Sequence, residues 1–130
     1  MRLIREFMAA LQLLLEGKDL EHRREELKKL YEQYIGPYEL YHNATIDVAM
    51  RALTSYDEGQ RLERMEMLAE LYYAEADTVT GPDRNFLLDK AFNLFSFIER
   101  NGKTFSMDRR YKMALIEQRL KKCSGKTRCE

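Results

Sequence analysis

Tryptophan is absent from this 130-residue chain, and cysteine (2), proline (2) and glycine (6) are scarce. So few breakers exclude collagen-like and linker-like sequence and favour long uninterrupted elements. Both cysteines, Cys123 and Cys129, sit near the end, so no disulfide framework can staple a core, and a reduced, cytoplasmic setting is the default expectation. No apolar run approaches a membrane-spanning helix. The start, Arg2 to Arg5 followed by Phe7 to Leu15, resembles a signal peptide only superficially: Glu6 and Gln12 interrupt it and no small-residue cleavage site follows. Net charge is also lacking, because 22 basic side chains balance 22 acidic ones, and overall charge points to neither nucleic acid nor a membrane surface.

What is present is 45% hydrophobic and 34% charged residues, the mixture of amphipathic helices with charged outer faces. The neutral total hides a gradient. Residues 57–99 carry 10 acidic and 4 basic side chains, and residues 108–130 carry 8 basic and 3 acidic ones. The simpler reading is that the last helix packs against the acidic middle; the alternative is a basic binding end.

The apolar spacing predicts about six antiparallel helices and no strand. Leu3, Ile4, Phe7, Met8, Leu11, Leu14 and Leu15 share a face of the first, which stops near Gly17. Asp19 is placed to cap the second, with Leu20, Leu27, Leu30, Tyr31 and Tyr34 inward. Gly36-Pro37 breaks the pattern. A third helix, about 38–55, carries Ala44, Ala49 and Ala52 and is expected to be central. Asp57 and Gln60 have capping-box spacing for a fourth helix reaching about Val79, with Met65, Leu68, Ala69, Leu71, Tyr72, Ala76 and Val79 inward. Gly81-Pro82-Asp83 starts a fifth, about 83–100, built on Leu87, Leu88, Ala91, Leu94, Phe95 and Ile98. Asn101-Gly102 ends it. Ser106 is placed to cap a sixth, built on Met107, Tyr111, Ala114, Leu115 and Leu120. The expected fold is all-α: one helical domain over 1–123, as stacked hairpins or a compact bundle, with a flexible tail at 124–130.

Motifs for chemistry are weak. Ser124-Gly125-Lys126-Thr127 imitates the end of a phosphate loop, but Leu120 stands where its first glycine belongs and a helix precedes it. Glu39-x-x-His42 matches half of a helical di-iron pattern, and Asp19-x-x-His22 is a looser copy with His22 pointing outward. His42 shares a face with Ile46, Ala49, Met50 and Leu53, so a hydrogen-bonded structural histidine is the preferred reading. Glu75 lies within the inward arc of the fourth helix, where a carboxylate must find a donor or take a proton. Glu75, His42 and Tyr72 therefore form the candidate polar pocket. Tyr31, Tyr34, Tyr38 and Tyr41 run across the Gly36-Pro37 break at the spacing of core and joint residues. No catalytic, metal-binding or cofactor-binding residue is expected, and no cofactor.

Leu68-Ala69-Glu70-Leu71-Tyr72, Gly81 and Lys90-Ala91-Phe92-Asn93-Leu94-Phe95 resemble a tetratricopeptide helix pair, with about ten residues too many between Tyr72 and Ala91 and no second copy. Over residues 2 to 120 the chain also resembles an uncharacterised family of short bacterial helical proteins with a degenerate tetratricopeptide-like half. That resemblance implies a helical-hairpin fold and transfers no active site.

The expected function is a non-catalytic module that binds another protein or itself. Phe86 and Phe97, joined by Phe92, form a second stripe on the fifth helix and are the candidate interface; burial within the chain is the competing account. A ligand site or enzyme around Glu75 and His42 is the second reading. Nucleic-acid binding through Arg109, Arg110, Arg119, Lys121, Lys122, Lys126 and Arg128 ranks last.

Overall fold

A computed structural model describes residues 2–17, 19–102 and 106–124, with side chains described from residue 3 to residue 121. Among these residues it is all-helical and holds seven helices: α1 (Arg2–Leu15), α2 (Leu20–Tyr34), α3 (Tyr38–Asn43), α4 (Ile46–Leu53), α5 (Glu58–Ala76), α6 (Gly81–Asn101) and α7 (Met107–Ser124). The expected tail from residue 125 on, with Lys126, Arg128 and Cys129, lies outside the described residues, as do the side chains of Lys122 and Cys123.

The first two helices follow their periodicity. Phe7 and Leu11 are buried, as are Leu27, Leu30, Tyr31 and Tyr34, and Asp19 accepts the Glu21 amide at 3.1 Å as a cap. Leu15 and Leu20 are corrections, since both are exposed beside the turn. Gly36 closes the next joint: a Cβ there would lie 2.7 Å from the Tyr41 ring, so the tyrosine packs where only glycine leaves room.

The expected third helix divides. Its first part ends at Asn43, and Thr45 starts a new helix by accepting the Val48 amide at 3.4 Å, with Asp47 in the first turn. Nor is it the central helix. That place belongs to α5, which packs against α1, α2, α4 and α6 and buries Met67, Glu70 and Ala74 besides the expected Met65, Leu68, Ala69, Leu71, Tyr72 and Ala76. The Asp57 side chain makes no cap bond; the Gln60 amide goes to its main-chain oxygen instead, at 2.9 Å.

After a four-residue link, α6 returns along α5 with Leu87, Leu88, Ala91, Leu94, Phe95 and Ile98 buried. The α5–α6 pairing is the most extensive in the fold. Ser106 does cap α7, accepting the Arg109 amide at 3.1 Å. The inward face of α7 is a correction. Met107, Tyr111 and Ala114 are exposed, and Arg109 and Ile116 are buried in their stead. An ion-pairing surface seats this helix, and an apolar stripe misreads it. The helices thus close around α5 as a bundle.

Candidate functional site

The Gly36-Pro37 joint turns the chain so that α2 and α3 approach one side chain of α5. Tyr31 donates its hydroxyl to Glu75 Oε1 at 2.6 Å, and Tyr38 donates to Oε2 at 2.6 Å. His42 Nδ1 lies 2.8 Å from the same Oε2. A carboxylate only accepts, so Nδ1 carries the proton in that contact. The rings reinforce the placement: Tyr38 stacks on His42 at 4.9 Å between centroids, and Tyr31 meets Tyr38 edge-on at 4.9 Å.

Glu75 is 5% exposed, and burial alone would push its carboxyl up. The hydrogen bonds from His42, Tyr31 and Tyr38 outweigh that and bring it below the ordinary carboxylate value. The tyrosines move oppositely. Burial and the adjacent Glu75 charge raise the Tyr31, Tyr38 and Tyr72 hydroxyls, which keeps them as donors.

A second polar group adjoins this one. Lys90, 1% exposed on α6, donates to the main-chain oxygens of His42 and Ala44 at 2.9 Å and of Tyr41 at 3.3 Å. Its ammonium sits 4.2 Å from the ring centroids of both Tyr72 and Phe86. These carbonyls close the C-terminal end of α3, the negative end of its dipole, so the lysine caps a helix from a distant element. Burial pulls Lys90 down to about 8, opposed by the Glu75 charge.

Glu75 and His42 therefore meet as expected, and Glu75 has the tyrosine partner that the structural reading required. Tyr72 is a correction within the trio. Its ring borders the cluster, 6.2 Å from that of Tyr31, but its hydroxyl donates to the Tyr41 main-chain oxygen at 2.6 Å. Tyr31, Tyr38 and Lys90 were not foreseen in the site. The tyrosine run was visible in sequence; a buried lysine on an apolar helix carries no periodic signal of its role.

The metal pattern separates. Glu39 is exposed and accepts from Asn43, whereas His42 turns to Glu75, and Asp19 and His22 are exposed. No group of three ligating side chains suited to a metal occurs among the described residues. An open depression of about 400 Å³ lies on α2, lined by Lys28, Lys29, Glu32 and Gln33, with neither Glu75 nor His42 in its lining.

The basic last helix is committed to the acidic middle. Arg109, 1% exposed, reaches Glu99 at 2.6 Å and Glu66 at 3.6 Å, and Arg110 reaches Glu99 at 3.1 Å. Lys112 joins Glu70 at 2.6 Å and Asp108 at 2.9 Å, and Arg119 joins Asp77 at 3.5 Å. Burial raises the Glu66 and Glu70 carboxyls, while Arg109 and then Arg110 lower that of Glu99.

Of the phenylalanine stripe, Phe86 is 41% exposed beneath Lys90, and Phe92 and Phe97 are half-buried against the core. No helix among the described residues is long and apolar enough to cross a membrane.

Fold and site define an all-helical domain whose buried carboxylate and buried lysine tie four helices together. No family model matches the chain, and no curated protein or solved structure matches it.

Proposed function

We propose that the chain is a non-catalytic helical protein-interaction module, acting in the cytoplasm on a protein partner or a second copy of itself. The supporting observation is the engagement of Glu75: Oε1 is taken by Tyr31 and Oε2 by Tyr38 and His42. A general base or ligand anchor must offer an oxygen to its substrate, and three of the roughly four lone-pair sites of this buried carboxylate are spent on the chain's own donors. Lys90 is likewise spent on three main-chain oxygens. The chain's reactive-looking groups act as joints, and the outer surfaces of the helices are left for recognition.

The tetratricopeptide-like character belongs to this reading. Leu68, Ala69 and Tyr72 of α5 and Ala91 and Phe95 of α6 are all fully buried, as the close crossing of such a pair requires. A second reading, a small-ligand site, rests on the His42 side chain, which is 31% exposed and gives the cluster an outlet.

Capture from native lysate with reversible crosslinking, by wild type and by folded Glu75→Gln, separates the two. The interaction reading expects a stoichiometric protein complex or homo-oligomer retained in Glu75→Gln. A small molecule that raises the melting temperature of wild type and has no effect on Glu75→Gln would favour the ligand site instead.

A further inference from the structure

On the outer face of α7, Met107 is 72% and Tyr111 65% exposed, with exposed Ala114 and Gln118 and half-buried Leu115 on the same side. At 100° per residue these five fall within an arc of about 100°. Met107, Tyr111, Ala114 and Gln118 follow one another at intervals of four, three and four, the seam spacing of a helix that packs on another helix. The opposite side of α7, with Arg109 and Ile116, already faces its own core.

The borders of the seam are charged in a self-complementary order. Arg110 and Glu117 lie along one border, Asp108 and Arg119 along the other. When two copies of α7 are laid antiparallel about a two-fold axis beside Ala114, Arg110 of one copy comes level with Glu117 of the other. The same register brings Asp108 level with Arg119. The symmetry makes each match twice, and a single placement satisfies both borders. A parallel pair instead brings opposite borders together, with Arg110 near Asp108 and Glu117 near Arg119, so position-specific crosslinking distinguishes the two orientations. Arg110 and Arg119 reach Glu99 and Asp77 within the chain, yet their side chains remain 61% and 45% exposed at the seam's edge.

We propose that α7 is a homodimerisation helix: a second copy of this chain packs antiparallel on the Met107–Tyr111–Ala114–Gln118 seam, held in register by Arg110–Glu117 and Asp108–Arg119 pairs between copies. This inference rests on the interaction reading above and names its partner. One helix seam is smaller than the ~1,200–2,000 Å² of a standard stable interface, so the dimer is reversible and concentration-dependent.

Sedimentation equilibrium on the full chain is expected to show a monomer–dimer equilibrium. Tyr111→Glu, at an exposed position that leaves the fold intact, weakens it by about tenfold or more, and Glu117→Arg weakens it as well. In a Cys123→Ser/Cys129→Ser background, Ala114→Cys crosslinks between copies on oxidation. Met107→Cys does not, since two copies of that position stand ~20 Å apart along an antiparallel pair. A monomer at every concentration, or equal crosslinking by both cysteines, overturns the proposal. A dimer that persists in Tyr111→Glu and dissolves in Phe97→Glu overturns the α7 seam while keeping the interaction reading. A chain that forms no complex with itself or with any protein overturns both.

Discussion

Glu75 shows how a carboxylate is kept charged inside a helical core. Three donors converge on it from α2 and α3, and their combined pull exceeds the cost of burial. Glu75→Gln retains the shape but sets an amide against those donors, and is expected to cost about 2–4 kcal/mol in urea unfolding. The difference between the two proteins depends on pH. A carboxyl whose folded value lies below its unfolded one stabilises fully above the unfolded value of about 4.3, and that contribution fades as pH falls through the folded value. The wild-type advantage should therefore shrink on acidification below about pH 4. An advantage that grows there contradicts the assignment. Gly36 offers a test of space: with a new Cβ 2.7 Å from the buried Tyr41 ring, Gly36→Ala is expected to cost about 1–3 kcal/mol in the same measurement.

At the scale of elements, short helices need outside help. α3 has six residues, too few to hold its own end, and Lys90 of α6 satisfies its last carbonyls. Lys90→Met should increase amide exchange in α3 and α4 before it affects α1. Its pH signature has the same sign as that of Glu75 but falls in the alkaline range. Between about 8, the folded value, and 10.4, that of an unfolded lysine, the unfolded chain holds the proton and the folded one releases it. Across that window wild type should gain stability relative to Lys90→Met as pH rises. Helix α7 is seated by charge: Arg109 is buried between Glu66 and Glu99, and removing it takes a cation from both, leaving Glu99 with Arg110. Arg109→Leu is expected to cost about 3–5 kcal/mol, with loss of exchange protection concentrated in α7. Protection unchanged there would contradict the clamp.

At the scale of the whole molecule, α5 joins everything, because its sides are occupied by α1, α2, α4 and α6. A domain with one shared central helix should unfold in a single transition, with far-ultraviolet circular dichroism and tyrosine fluorescence coinciding; separate midpoints would indicate hairpins that melt independently. Met67→Ala, in the fully buried part of α5, should lower the unfolding free energy by about 2–4 kcal/mol while the transition stays single.

Much of this architecture was legible without the structure, for a local reason. Helical periodicity and chain breaks are properties of neighbouring residues, so Phe7 and Leu11, the α2 stripe, the α6 core and the stops at Gly17, Gly36-Pro37 and Gly102 could be read directly. The inward Glu75 was also legible, since its angle on the helix places it beside Leu68. Three things depended on residues far apart in the chain. Which donors reach Glu75 depends on the turn that brings Tyr31 and Tyr38 together. The division at Ala44-Thr45 is stable because Lys90, 46 positions beyond Ala44, caps the broken end. The α7 face was misread because ion pairs to α5 and α6 seat Arg109 inward and turn Met107 and Tyr111 to solvent. By itself the sequence determined an all-helical chain with most of its inner faces, because hydrophobic spacing acts within one helix. Only the tertiary structure decided the central helix, the closure of the carboxylate and the free face of α7, because electrostatic and hydrogen-bond partners are chosen across helices.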